Sequence, residues 1–109
     1  MGLRSVAKKI AKDRVTALNV NVPGSQRSVD AHRYTIMREA LLRLLPSTPP
    51  GLTQTEIRQR IGSLVPRALF PGTKADWWSK LVQLDLEARR LVRREQTTPL
   101  RWHRRGGAA

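Results

Sequence analysis

The stretch KADWWSKLVQLDLEARRLVRRE, residues 74–95, sets the fold. Its first part, Lys74 to about Arg90, reads as a helix. Successive helical residues point about 100° apart. Placed on that wheel, Trp77, Leu81, Leu84, Ala88 and Leu91 share one line. Ala75, Trp78, Val82 and Leu86 form a second line about a third of a turn away. Asp76, Ser79, Lys80, Gln83, Glu87 and Arg90 take the remaining side. An apolar arc of about half the circumference exceeds the stripe of an ordinary surface helix. The spacing therefore predicts a helix wedged between at least two neighbours, with Trp77 and Trp78 both buried. Asp85 projects between the apolar lines. A carboxylate there needs a partner: an arginine, a backbone N–H, or an indole N–H, with Trp102 a candidate.

Downstream, LVRREQTTPLRWHRR reads as a hairpin. Leu91-Val92 opens one strand, residues 96–99 turn, and Leu100 to Arg104 returns. Alternation puts Leu100 and Trp102 on one face and Arg101 and His103 on the other. A lone hairpin is marginal in water, so this one must pack on the helices.

Upstream, Thr53-Gln54-Thr55-Glu56 has the form of a capping box, with Leu52 and Ile57 at the hydrophobic-staple positions. A short second helix follows, with Ile57, Ile61 and Leu64 as its buried stripe and Gly62 and Pro66 at its end. Leu69 and Phe70 are expected to anchor the linker, and Thr73 to cap the third helix. Earlier still, Tyr34, Met37, Leu41, Leu44 and Leu45 keep helical rhythm. Ser28 or Asp30 can cap that first helix, Pro46 stops it, and Arg33, Arg38 and Arg43 face water. In VTALNVNVPG, residues 15–24, Leu18, Val20 and Val22 alternate with asparagines, which predicts a strand ending at Pro23-Gly24. This strand can join the hairpin as a third member.

The chain has 109 residues, 21 lysines and arginines against 8 acids, and no cysteine. That length suits one core without staples, and the lack of cysteine excludes disulfides and thiolate metal sites. The net charge of +13 is concentrated at the ends. Residues 1–14 carry five basic groups and one acid, and residues 89–105 carry seven arginines and one acid. Such a surface concentrates polyanions. Residues 1–14 are expected to form a basic arm, amphipathic through Leu3, Val6 and Ile10, residues 15–105 the folded domain, and residues 106–109 a disordered tail. No apolar run spans a bilayer and no secretory leader is recognisable, so a cytoplasmic protein with no membrane partner is expected.

The order of strand, helix, capped short helix, long helix and hairpin resembles the winged helix-turn-helix superfamily. The resemblance is carried by GLTQTEIRQRI, WWSKLVQLDLEARRLVRR and TTPLRWHRR and covers about residues 28–105. The combination of LNVNVPG, GLTQ, WWSK, VQLDLEA and PLRW also looks like a family of small bacterial proteins that has no assigned activity. The chain departs from the superfamily pattern at Arg90, where many members place a glycine before the wing, and in a longer linker between the second and third helices. The fold class expected is α+β, mainly α: three helices with a C-terminal β-hairpin wing.

The resemblance implies DNA binding and transcription regulation, with the third helix in the major groove and the wing on the backbone. Carried over by position, Lys74, Ser79, Lys80, Gln83 and Arg90 belong to the reading helix. Lys80 and Gln83 suit base edges, whereas Asp76 and Glu87 do not suit phosphate. Arg93, Arg94, Arg101, His103, Arg104 and Arg105 supply the wing's positive field, and Thr53, Gln54 and Thr55 open the second helix, whose N–H groups can hold a phosphate. Duplex DNA is the favoured partner, which would make the protein nucleoid-associated. A protein-interaction winged helix, including a homodimer, and RNA or ribosome association are the alternatives. His32 and His103 lack metal-ligating companions at helical spacing, and no phosphate-binding glycine loop occurs. No enzyme activity, cofactor or metal is expected.

Overall fold

The computed structural model describes residues 13–105. The basic arm, apart from Asp13 and Arg14, and the C-terminal tail lie outside them. Among the described residues, three helices and two small antiparallel sheets enclose one core.

The N-terminal part is a hairpin. Strand β1 (Arg14–Leu18) pairs with β2 (Gln26–Asp30), with Val15 opposite Val29 and Ala17 opposite Arg27. The expected strand over residues 15–24 is thus cut short at Leu18. The Asn19 side chain accepts from the Asn21 N–H at 2.9 Å, a local turn that competes with strand pairing. Val22 N–H then bonds Asn19 O, Ser25 N–H bonds Val22 O, and Gly24 takes a positive φ of 87°. Val22, placed on a buried face by the alternation, is 53% exposed. Strand β2 has no apolar alternation and was not expected.

Helix α1 (Ala31–Leu44) starts where the Asp30 carboxylate accepts from the Arg33 N–H at 2.9 Å. It buries Tyr34, Met37, Ala40 and Leu41, and Leu45 follows into the core. Leu44 is only half-buried. Of the three arginines expected in water, Arg43 is exposed, whereas Arg33 and Arg38 are half-buried. Arg33 bonds Asp30 and the Leu69 carbonyl.

Strand β3 (Leu52–Thr53) leads into α2 (Gln54–Ile61) through the expected capping box. Thr53 Oγ1 accepts from Glu56 N–H, and Glu56 Oε1 accepts from Thr53 N–H at 2.9 Å. A 3-10 turn, Gly62–Leu64, ends the helix. It carries Leu64 off the buried stripe, to 39% exposure. In the linker Phe70 is buried and meets Trp78 edge to face at 6.2 Å, while Leu69 is half-buried.

Helix α3 (Lys74–Ala88) buries Ala75, Trp78, Ser79, Val82, Gln83, Asp85 and Leu86. Thr73 precedes it without a side-chain capping bond. The buried arc is turned relative to the one expected. Trp78 is 8% exposed, but Trp77 is 44% exposed. Ser79 and Gln83, expected in solvent, are 1% and 2% exposed. Each finds one partner, as burial demands, although Gln83 Oε1 has none among the described residues. Ser79 Oγ donates to Asp76 O, and Gln83 Nε2 donates to Gln54 Oε1 at 3.0 Å. Helix α2 takes that side of α3, α1 takes the next, and β1 lies along the side holding Leu81 and Leu84.

The end of α3 closes with Arg90 N–H on Glu87 O and Leu91 N–H on Leu86 O. Arg90 has φ 65°, so an arginine holds the left-handed conformation in which glycine usually ends a helix. Strand β4 (Val92–Glu95) then pairs with β5 (Arg101–Arg104), the expected hairpin. The third member of this sheet is β3, in the order β3-β5-β4. The N-terminal strand, expected as a candidate for that place, stays in its own hairpin. Gly51 makes the β3 pairing possible: a Cβ there would stand 2.0 Å from Trp102 O.

Candidate nucleic-acid interface

The charged side chains of the β4–β5 hairpin do more internal work than their alternation indicates. Arg94 Nη2 donates to Glu87 Oε1 at 3.0 Å, and Trp102 Nε1 donates to the same oxygen at 3.1 Å. The Arg94 guanidinium also lies over the Trp102 ring, 5.5 Å from its centroid. Glu87 therefore ties α3 to both β4 and β5. The Trp102 indole, a candidate partner for Asp85, is used here instead.

Arg101 Nη1 donates to Gly51 O at 3.0 Å and meets the capping-box Glu56 at 3.3 Å. Its guanidinium adds to the bond from Thr53 N–H that holds the Glu56 carboxyl below the usual carboxylate range. Arg104 Nε donates to Leu45 O at 2.8 Å. His103 is buried, not outward-facing; Nε2 meets Glu95 Oε2 at 2.8 Å and Nδ1 meets Arg104 O at 2.8 Å. The alternation held, but both faces of β5 carry a buried side chain, Trp102 on one and His103 on the other.

At the head of α2, Thr53 is buried with its hydroxyl in the capping box, and the Gln54 side chain is held by Gln83. Thr55 is exposed. On α3 only Lys74 and Lys80 of the expected reading residues reach solvent, beside Asp76 and Trp77. Glu87, placed on the solvent side by the helical wheel, is half-buried and bonded to Arg94 and Trp102.

The structure does bring four of the expected arginines together. Arg90, Arg93, Arg94 and Arg105 line one cleft of about 450 Å³ between the start of the β4–β5 hairpin and the loop holding Asn21. Glu87 is the acid in this cleft and is already bonded to Arg94. Arg93 has an exposed pair with Glu95 at 3.4 Å, a contact of small energetic weight. Arg90 and Arg105 have no ion-pair partner among the described residues. Several positive charges thus converge on a concave polar surface.

Three further cations, none of them among the expected site residues, gather elsewhere. Arg14, Arg27 and Arg33 border a second cleft with Lys74, Trp77 and Trp78. They come from β1, β2 and the first turn of α1, and no periodic signal marks β2. Arg14 and Arg27 border the same cleft although the hairpin register sets Arg14 opposite Asp30 and Arg27 opposite Ala17.

No helix among the described residues is long and apolar enough to cross a membrane. No curated protein and no solved structure matches the chain. A family model does match, over residues 14–102, from the start of β1 to the middle of β5. The chain therefore belongs to that family, described as a family of unknown function, DUF6958.

Proposed function

We propose that this chain is a winged-helix nucleic-acid-binding module that holds duplex DNA through its phosphates. The order α1, β3, α2, α3, β4, β5 and the sheet order β3-β5-β4 support the winged-helix reading. The observation that carries the binding reading is the arginine-lined cleft at the wing root. Base reading has little support. Gln83 and Ser79 are buried, and β1 flanks α3 on one side while α2 flanks it on the other. Phosphate contacts position a protein without specifying sequence, so sequence-tolerant binding is the form proposed.

Of the acids that would serve a protein-pairing surface on α3, Glu87 is consumed internally. This weakens the protein-interaction reading relative to the nucleic-acid one.

Fluorescence anisotropy of a random-sequence duplex across a salt series tests the proposal. Contact with about three or four phosphates gives a slope of log K against log salt of about −3 to −4. Arg93→Glu combined with Arg105→Glu should weaken all duplexes alike. Absence of binding at low salt, or binding indifferent to those reversals, rejects it. Competition with structured RNA separates the DNA and RNA forms.

A further inference from the structure

Trp77 and Arg27 form a partition between two clefts. The Arg27 guanidinium sits 5.0 Å from the centroid of the Trp77 ring, a cation–π stack. Trp78 meets Trp77 edge to face at 5.3 Å and steadies the ring from within. On one side lies a cleft of about 460 Å³ with an apolar floor of Ala17, Leu18, Leu81 and Leu84. On the other lies a cleft of about 410 Å³ carrying Arg14, Arg33 and Lys74. Both volumes fall within the range of small-ligand sites, roughly 300–1,000 Å³.

The two sides differ chemically. Asp76 borders the apolar cleft beside Lys80. In the cationic cleft the acid is Asp30, which already caps α1 and pairs with Arg33. A ligand that fits has a flat uncharged face and an anionic group a few ångströms away. An unpaired nucleotide has this form. Its base stacks on an aromatic face regardless of identity, and its phosphate adds the charge that four cations attract.

We propose that Trp77 and Arg27 bind an unpaired nucleotide of a nucleic-acid strand. The base stacks against the indole face not covered by Arg27, beside Leu81 and Leu84, and the phosphate is held by Arg27 and Lys74, while Arg14, whose guanidinium bonds Ser28, adds positive charge nearby. This rests on the nucleic-acid reading above and adds to it a preference for strand ends or single-stranded segments. The site draws on residues separate from those of the wing-root cleft.

The test uses the full chain with two probes, a short oligothymidylate and a blunt-ended duplex of the same length. Trp77→Ala should weaken oligothymidylate binding at least about fivefold, the lower end for loss of one stacked base. Blunt-duplex affinity should stay within about twofold of the wild type. Trp77→Phe keeps an aromatic face and should restore most of the loss, which a merely unfolded variant would not permit. Arg93→Glu, in the other cleft, should weaken the duplex.

If the wild type binds duplex and Trp77→Ala leaves oligothymidylate binding unchanged, this proposal falls and the reading above stands. Equal losses on both probes also overturn it. If neither probe binds the wild type, both fall together. If Trp77→Ala retains oligothymidylate binding but abolishes self-association in sedimentation, the surface is a protein contact and the nucleotide site is rejected.

Discussion

Tyr34 on α1 donates its hydroxyl hydrogen to Asp85 on α3, inside the core. The same carboxylate accepts from Leu18 N–H at the end of β1, at 2.8 Å, and from Arg89 Nε at 2.9 Å. Arg89 also donates to Thr16 O at 2.8 Å. One fully buried acid thus joins the hairpin, α1 and α3. A buried charge is tolerated when its lone pairs are this fully used. Asp85→Ala would leave an N–H, a hydroxyl and a guanidinium without their partner. It should cost about 3–5 kcal/mol, with Asp85→Asn costing less. Urea unfolding measures both; a loss under about 1 kcal/mol for alanine would contradict this junction.

The Tyr34 hydroxyl is pushed up to about 12 by burial first and by its bond to Asp85 second. An unfolded tyrosine ionises near 10. Between these values the unfolded chain binds fewer protons than the folded one, so stability falls as pH rises. The contribution is whole below pH 10 and lost by about pH 12, on the order of 2 kcal/mol. Tyr34 is the only tyrosine in the chain, so its absorbance titration reads the site directly. Stability of Tyr34→Phe should not share this alkaline component.

Glu56 shows the opposite sign. The Thr53 N–H, then the Thr53 hydroxyl and the Arg101 and Arg60 guanidinium groups, favour its carboxylate and hold it below 4.5. The unfolded chain takes up this proton at a higher pH than the folded one. The contribution is therefore present above about pH 4.5 and lost as pH falls through the folded value. Glu56→Gln should flatten this acid limb in pH-dependent melting. Thr53→Ala removes the reciprocal cap and should cost about 1 kcal/mol.

Arg90 and Gly51 both have positive φ, 65° and 92°, yet should respond in opposite ways. Arg90→Gly relieves a left-handed arginine, a strain of roughly 1–2 kcal/mol, partly offset by glycine's greater chain entropy. Melting should show stability unchanged or slightly raised, while duplex affinity falls with the lost charge. Gly51→Ala forces a Cβ against the Trp102 carbonyl at 2.0 Å. The clash is with backbone, so β3 must leave β5, and a loss of more than about 3 kcal/mol is expected.

Much of the architecture is legible in local signals. The capping box at Thr53 and Glu56, the rhythm from Tyr34 to Leu41, and the turn between Val92 and Arg104 each involve residues close in sequence. Their physics is that of a helix end, a helix face and a hairpin, and it holds in almost any tertiary setting. The existence of α3 is of this kind too. The direction it faces is not. A helical wheel orders side chains around an axis, but the neighbours packed at each angle decide which of them lose contact with water. Helix α2 took the side of Ser79 and Gln83, and β1 lay beside Leu81 and Leu84. Trp77 was left at the edge, and the sequence marks neither placement. The clefts follow the same division. Seven arginines after residue 88 announce a basic surface, whereas which of them stay available was settled by acids and carbonyls far along the chain. Arg101 is held by Glu56 and Gly51, Arg104 by Leu45, and Arg14 by Ser28 across the hairpin. Composition and periodicity determined the charge and most of the elements; long-range packing decided which aromatic ring and which cations stay exposed.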